Sequence, residues 1–247
     1  MSRFTSIALS GLAAAAVLGG GALLGERSAT ARQPAPSGRP GAPIVVELFT
    51  SQGCSSCPPA NDALIRLADQ PNVIALTFDV QLWDSLGWRD TLARPEFSRR
   101  QEDYNRHFGR NNVYTPQTIV AGRWHGPGGG RGEMEALMRR AGTVGTTPAV
   151  RLAADSVALG AGPAPARPAD VWLARYDPRI VRVPIRAGEN GGRTLPQRNV
   201  VRQFVRLGAW SGQAARFALP TPSEPGLRTA VLVQEAGTGT VLSAAAG

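Results

Sequence analysis

Ile44-Val45-Val46-Glu47-Leu48-Phe49-Thr50-Ser51-Gln52-Gly53-Cys54-Ser55-Ser56-Cys57-Pro58-Pro59 joins a nearly continuous apolar run to a Cys-x-x-Cys turn. Residues 44–50 are rich in β-branched and apolar types, which suits a strand buried on both faces of a sheet packed by helices. From Pro59 onward Ala63, Leu64, Leu67 and Ala68 recur at helical spacing. Proline is tolerated in a first helical turn, where its missing N–H has no partner to lose. Asn72 to Phe78 is a second apolar run. Strand, turn, helix and strand together predict a right-handed, parallel β-α-β unit.

That placement gives the cysteines their chemistry. The N-terminus of a helix carries a partial positive charge and unpaired N–H groups, which stabilise a thiolate. Cys54 is expected to be the exposed, low-pKa nucleophile, and Cys57, one turn in, the shielded thiol that resolves a mixed disulfide. The competing readings are a static bridge or half of a zinc site. A bridge closing so short a loop stabilises little. Zinc usually takes four ligands, and only His107 and His125 remain to complete a set, with no ligand spacing between them. Glu47 is a carboxylate in an apolar strand, costly to bury unpaired. On the strand that delivers Cys54 it is a candidate acceptor for the Cys57 proton. The alternatives are an acid at the strand's open edge, or one paired with an arginine.

Beyond the first unit, Tyr114-Thr115-Pro116-Gln117 leads into the apolar Thr118-Ile119-Val120. With the β-α-β unit and its Cys-x-x-Cys, this order resembles a thioredoxin fold, and the resemblance implies a cis peptide before Pro116, facing the dithiol. More narrowly, Val46 through Ala60 is similar to the exported, thioredoxin-like DUF1223 family. Trp83-Asp84, Leu86-Gly87-Trp88, Arg100-Gln101, Tyr104, Tyr114 to Gln117, Gly188 to Leu195 and Asn199 to Arg202 carry the same resemblance across most of the chain. It implies that Cys54 and Cys57 are a redox pair and Pro116 the cis-proline. The chain departs from the family where Asp79 and Gln81 replace a histidine and an acid. That removes the imidazole a copper site on this fold needs.

Between the second strand and Tyr114 lies an insert, about residues 81–112. Its Trp83, Leu86 and Trp88 are expected either to cover the cysteines or to fill a small core of their own. Arg94 to His107 has the pattern of an amphipathic helix with Phe97, Tyr104 and Phe108 on its apolar edge, and His107 sits near its end. Gly126-Pro127-Gly128-Gly129-Gly130 lacks the Lys-Ser/Thr of a phosphate loop and reads as a turn before a closing helix, Glu133 to Ala141. After residue 146 about seven short runs alternate with Gly/Pro/Asn clusters, as in a β-sandwich. No nucleophile–base pair falls there. Glu189-Asn190-Gly191-Gly192-Arg193 has the chemistry of a tight turn, whose functional alternative is a polar contact to the first domain or to a partner.

The 247 residues allow one or two domains. All 27 basic residues are arginine and the net charge is +9, yet they are spread along the chain without the stripe or motif of a nucleic-acid binder. Arg3, the apolar stretch Ile7 to Leu24 and Ala29-Thr30-Ala31 read as an export signal, with an uncleaved membrane anchor as the alternative. The expected organisation is a signal peptide (1–31), a Pro/Gly tether (32–43), an α/β thioredoxin-like domain (44–146) and an all-β sandwich-like domain (147–247). The expected function is periplasmic or secreted thiol–disulfide exchange by Cys54 and Cys57, with Pro116 shaping the groove and Glu47 relaying a proton. Its substrate would be a protein or a small thiol, served by a redox partner and no cofactor. The rival is a non-catalytic scaffold with a structural disulfide.

Overall fold

Eleven strands against three α-helices make the described residues mostly β. The computed structural model describes residues 42–247 except 131, 143 and 238. The expected export signal and most of the tether lie outside the described residues. Among the described residues three α-helices occur: α1 (Pro58–Leu67), α2 (Pro95–His107) and α3 (Glu133–Ala141). The strands of the first half are β1 (Ile44–Thr50), β2 (Val73–Asp79), β3 (Gln117–Val120) and β4 (Trp124–Gly126). Those of the second are β5 (Val150–Leu152), β6 (Ser156–Leu159), β7 (Ala169–Pro184), β8 (Thr194–Trp210), β9 (Ala215–Ala218), β10 (Arg228–Glu235) and β11 (Val241–Ala246). Among the described residues no helix is long and apolar enough to cross a membrane.

Eight strands form one mixed sheet in the order β11-β10-β7-β8-β2-β1-β3-β4. β1 and β2 run parallel, and β3 and β4 continue antiparallel. Because side chains alternate across a strand, β1 divides its residues between two cores. Val46 and Leu48 pack with Ala60, Leu64 and Leu67 of α1 and Met134 and Leu137 of α3. Val45 and Phe49 pack on the opposite face with Phe97 and Tyr104 of α2. Each fully buried leucine contributes about 1.5–3 kcal/mol to holding its helix on the sheet.

The second half is all-β, as expected, but it is not a sandwich set apart from the first. Ala174 of β7, Val201 of β8 and Leu232 of β10 belong to the same core as Phe49 and Phe78. Only the other face of this region makes a sandwich-like layer. There Leu173 and Val231 are covered by the small sheet β5-β6-β9 through Val157 and Leu159. Where short runs are expected, β7 is one bulged 16-residue strand, and β6 carries no clear signal of its own. Backbone pairing between β2 and β8 is slight, Thr77 opposite Val200. Side chains strengthen the join: Thr77 Oγ1 donates to the Arg198 carbonyl (2.7 Å) and Asn199 Nδ2 to the Ala75 carbonyl (2.8 Å).

Candidate functional site

The chain leaves β1 at Thr50, turns through Ser51 to Ser56, and enters α1 with Cys57 as its N-cap. Cys57 is therefore at the very start of the helix rather than one turn in, and Pro58 takes the first helical position. Cys57 N–H donates to the Cys54 carbonyl (3.2 Å), closing the turn that brings the two thiols together. Both are free. The Thr115–Pro116 peptide is cis and precedes β3. The Thr115 carbonyl oxygen lies 3.6 Å from Cys54 Sγ, and Ser56 Oγ lies 3.3 Å from it.

The two sulfurs occupy opposed electrostatic settings. Cys54 is lowered to about 6, first by a hydrogen bond from Cys57, against burial, and further by hydrogen bonds from Ser56 and Thr115. Trp83 Nε1 donates to Thr115 Oγ1 at 2.7 Å, which leaves that hydroxyl's own proton free to turn toward the sulfur. Cys57 is driven far above the ordinary thiol range by burial, and by its role as donor to Cys54. This setting favours a proton on Cys57 and the charge on Cys54. The expectation of an exposed nucleophile needs correction, since Cys54 is only 3% exposed and Cys57 wholly buried.

The turn that carries Cys54 is held from the second half. The β7–β8 hairpin ends in residues 185–193, folded back by Ile185 N–H to Arg193 O (2.8 Å) and Gly192 N–H to Ile185 O (2.9 Å). At its tip the fully buried Asn190 donates to the Gln52 carbonyl (2.9 Å) and the Cys54 carbonyl (2.8 Å). Arg193 fixes the same amide by donating to Asn190 Oδ1 (2.6 Å). The neighbouring Glu189 carboxylate accepts the Ser55 N–H (3.1 Å). Gly188 adopts a positive φ, +73°, and a Cβ there would stand 3.2 Å from Trp88 Cβ. Trp88 in turn donates from Nε1 to Gln52 Oε1 (2.9 Å). The insert tryptophans therefore brace the Cys54 turn and the Thr115 loop instead of packing into a core of their own.

Glu47 is not near the dithiol. It lies on the face of β1 opposite α1, where Arg100 donates to it from Nε (2.5 Å) and Nη2 (2.9 Å) and Tyr104 from its hydroxyl (2.5 Å). Arg100 also reaches Gln234 Oε1 (3.2 Å) and stacks 4.3 Å over the Phe204 ring. Every strong acceptor of Glu47 is occupied, so the proton-relay expectation gives way to its alternative, an acid paired with an arginine. The face that carries Cys57 bears different acids. Thr50, whose side chain neighbours Cys57, is the register partner of Asp79. Asp79 is buried, accepts from Gln197 (2.7 Å), and is raised well above the carboxylate range by burial and by the charge of Asp90. Asp90 is raised to about 6 by burial, although it accepts the backbone N–H groups of Gln52, Leu92 and Ala93.

Among the described residues no group of three or more His, Cys, Asp or Glu stands together as a metal cage. His107 contacts the Gly237 carbonyl and His125 the Tyr114 hydroxyl, both apart from the cysteines. The Gly126–Gly130 segment is the turn between β4 and α3. A cavity of about 400 Å³ lies beside α2 and is lined by Arg100, Tyr104, Trp172 and Gln234, with no residue of the Cys54 turn on its walls.

A family model described as a protein of unknown function, DUF1223, matches residues 45–234. The chain belongs to the DUF1223 family. A crystal structure of protein AGR_C_4864 from Agrobacterium tumefaciens is similar to this DUF1223 protein, at 31% identity and a TM-score of 0.67, over 85% of this chain and 95% of that one. HBP35 of Porphyromonas gingivalis shares the fold at 13% identity and a TM-score of 0.53, over 85% of this chain and 76% of that one. No curated protein matches.

Sequence reasoning missed the residues that the second half sends to the site. In this DUF1223 protein the signal was present in Glu189-Asn190-Gly191-Gly192-Arg193, whose turn chemistry is correct and whose functional alternative, a polar contact to the first half, is what the structure contains. Asp90 and Gln197 carried no such signal, because nothing in their own neighbourhoods marks them as buried together.

Proposed function

We propose that this DUF1223 protein is an exported thiol–disulfide oxidoreductase whose first half is a thioredoxin-like α/β unit. Support for the fold comes from parallel β1-α1-β2, antiparallel β3-β4 closed by α3, and a cis Thr115–Pro116 peptide abutting a Cys-x-x-Cys at a helix start. The observation that carries the function is the split between the sulfurs, with Cys54 lowered to about 6 and Cys57 raised. Titratable neighbours pushed apart in this way mark an acid and a nucleophile.

In the reducing direction the Cys54 thiolate attacks one sulfur of a disulfide. A Cys54–substrate bond forms as the substrate's own S–S bond breaks, and the departing sulfur takes a proton. Cys57 then loses its proton and attacks Cys54 Sγ, expelling the second substrate sulfur as a thiol. The protein dithiol gives up two electrons and becomes a disulfide, and the substrate disulfide becomes two thiols. No cofactor is needed, and a separate dithiol or quinone-linked partner restores the starting state. The non-catalytic scaffold reading is favoured by one observation, the burial of both cysteines; a purely structural pair has no need of a stabilised thiolate.

The test is trapping. Cys57→Ser protein incubated with hydroxyethyl disulfide should accumulate a mixed disulfide on Cys54, and Cys54→Ser protein should form none while losing about a thousandfold or more in exchange rate. Absence of any adduct in the first variant contradicts the reading. Equilibration with glutathione then sets the direction: a potential near about −120 mV marks an oxidant and one near about −270 mV a reductant.

A further inference from the structure

We infer that the cavity beside α2 is a binding site for a small, uncharged, planar molecule that carries a carbonyl group. The site is separate from the dithiol and does not rest on the exchange reading. It lies on the α2 face of the sheet, and none of its lining residues belongs to the Cys54 turn.

The floor is built from buried polar side chains, Arg100, Tyr104 and Gln234. Nearly all of their hydrogen-bonding capacity is spent on one another and on Glu47. Arg100 Nε and Nη2 donate to the Glu47 carboxylate, and Nη2 also reaches the Tyr104 hydroxyl (3.1 Å) and Gln234 Oε1 (3.2 Å). Tyr104 donates its proton to Glu47, while Gln234 Nε2 donates to the Tyr104 oxygen (2.8 Å) and the Gly239 carbonyl (2.5 Å). Nη1 of Arg100 is left over. It has no hydrogen-bond partner among the described residues, yet it is not sealed from solvent. Arg100 is 7% exposed and lines this cavity, so the two N–H groups of Nη1 are open there. A molecule that fills the cavity must offer those donors an acceptor in place of solvent, or leave them unsatisfied.

Charge sets what kind of acceptor fits. The Arg100 guanidinium already has its counter-ion in Glu47. Around the mouth, Asp103 is paired with Arg106 and Asp170 with Arg206, His107 is turned to the Gly237 carbonyl, and Glu235 adds a further carboxylate. Three acids thus stand around a cation that is already answered, which favours an uncharged carbonyl oxygen over a carboxylate. Shape sets the rest. The half-buried Trp172 forms one wall and is held by stacking on Phe204, with ring centroids 4.9 Å apart and planes 11° from parallel. The Tyr104 ring is likewise held by Phe108. Rigid aromatic walls favour a flat ring between them. The volume of about 400 Å³ falls in the range of small-molecule sites.

The experiment follows the indole N–H signals of the five tryptophans in the nitrogen-15-labelled full chain during titration with benzamide. Benzamide should shift the Trp172 signal with a dissociation constant of about 1–10 mM, the affinity open to so small a molecule. Trp83 and Trp88, which brace the Cys54 turn, should not move. Benzoate keeps the shape but adds a charge, and cyclohexanecarboxamide keeps the carbonyl but is not flat; each should bind about fivefold or more weakly. Trp172→Leu should weaken benzamide by about tenfold, read on the Gly237 and Gly239 amide signals. No shift at Trp172 up to about 50 mM benzamide overturns the site. Benzoate binding as tightly as benzamide, or benzylammonium more tightly, overturns the ligand class. If Trp172→Leu fails to fold, the ranking of the probes on the wild type decides. Every one of these outcomes leaves the exchange reading to its own test at Cys54.

Discussion

Two polar clusters are buried on opposite faces of the same strand, and they are built to opposite ends. On the α2 face, Glu47 meets Arg100 and Tyr104 in a network whose carboxylate oxygens are all engaged, capped by Gln234 from the far side of the sheet. On the α1 side, Cys54 and Cys57 push each other's ionisation apart, and Asp79 and its neighbour Asp90 are each held above the ordinary carboxylate range, chiefly by burial. A satisfied ion pair fixes structure, because its charge has nowhere better to go. A set of groups left in conflict holds a charge or a proton ready to move, which is what chemistry needs. The contrast explains why Glu47, the more conspicuous acid in the sequence, is the structural one.

The sharpest way to break this contrast is Arg100→Ala. It strands Glu47 as an unpaired buried charge and should cost about 3–5 kcal/mol in urea unfolding, while thiol reactivity of the folded fraction stays within about twofold. Loss of thiol reactivity with little loss of stability would reverse the roles of the two faces. Glu47→Gln should behave likewise, destabilising by about 3 kcal/mol with no slowing of the Cys57 step measured by release of a trapped substrate thiol. A slowed second step would restore Glu47 as a proton acceptor.

Asp79→Asn probes the other face. Because the folded protein holds the Asp79 carboxyl above its unfolded value, its contribution to stability is whole at low pH and is lost as pH rises past about 4 toward the folded value. The neutral amide removes that loss. The variant should therefore be more stable than wild type at neutral pH and equal to it near about pH 4, by urea midpoints across pH. A destabilised variant at every pH would mean that Asp79 is a satisfied structural acid after all. The smallest effect belongs to Trp83→Phe, which removes the donor to Thr115. It should cost about 1 kcal/mol and slow maleimide labelling of Cys54 a few-fold at acidic pH, where a raised thiol pKa shows first.

The first half was legible because its signals are local. Apolar runs at residues 44–50 and 72–78, helical spacing after Pro59, and the Phe97, Tyr104 and Phe108 edge each describe an element and the face it buries. The Cys-x-x-Cys turn placed the candidate site within a few residues. What could not be read is whatever depends on which distant segments meet. Glu47 alternates away from α1 by a parity the sequence contains, but its partner Arg100 lies 53 residues on. The long β7–β8 hairpin read as separate short strands because bulges interrupt its alternation, most sharply between Asp177 and Ile180. Short separate strands offer the tip no route to Cys54, so from sequence the second half resembles a domain of its own.

The account stands most directly on the charge state of one sulfur. Ultraviolet absorbance of the reduced protein, followed from acid to alkali, should show one thiolate appearing with a midpoint near 6 and no second one through the ordinary thiol range near pH 9. In Cys57→Ala the midpoint should move upward, since the donor that holds the charge in place is gone. A single protein showing no thiolate until about pH 8 or above would mean that Cys54 is an ordinary buried thiol, and the chemistry built on it would have no nucleophile.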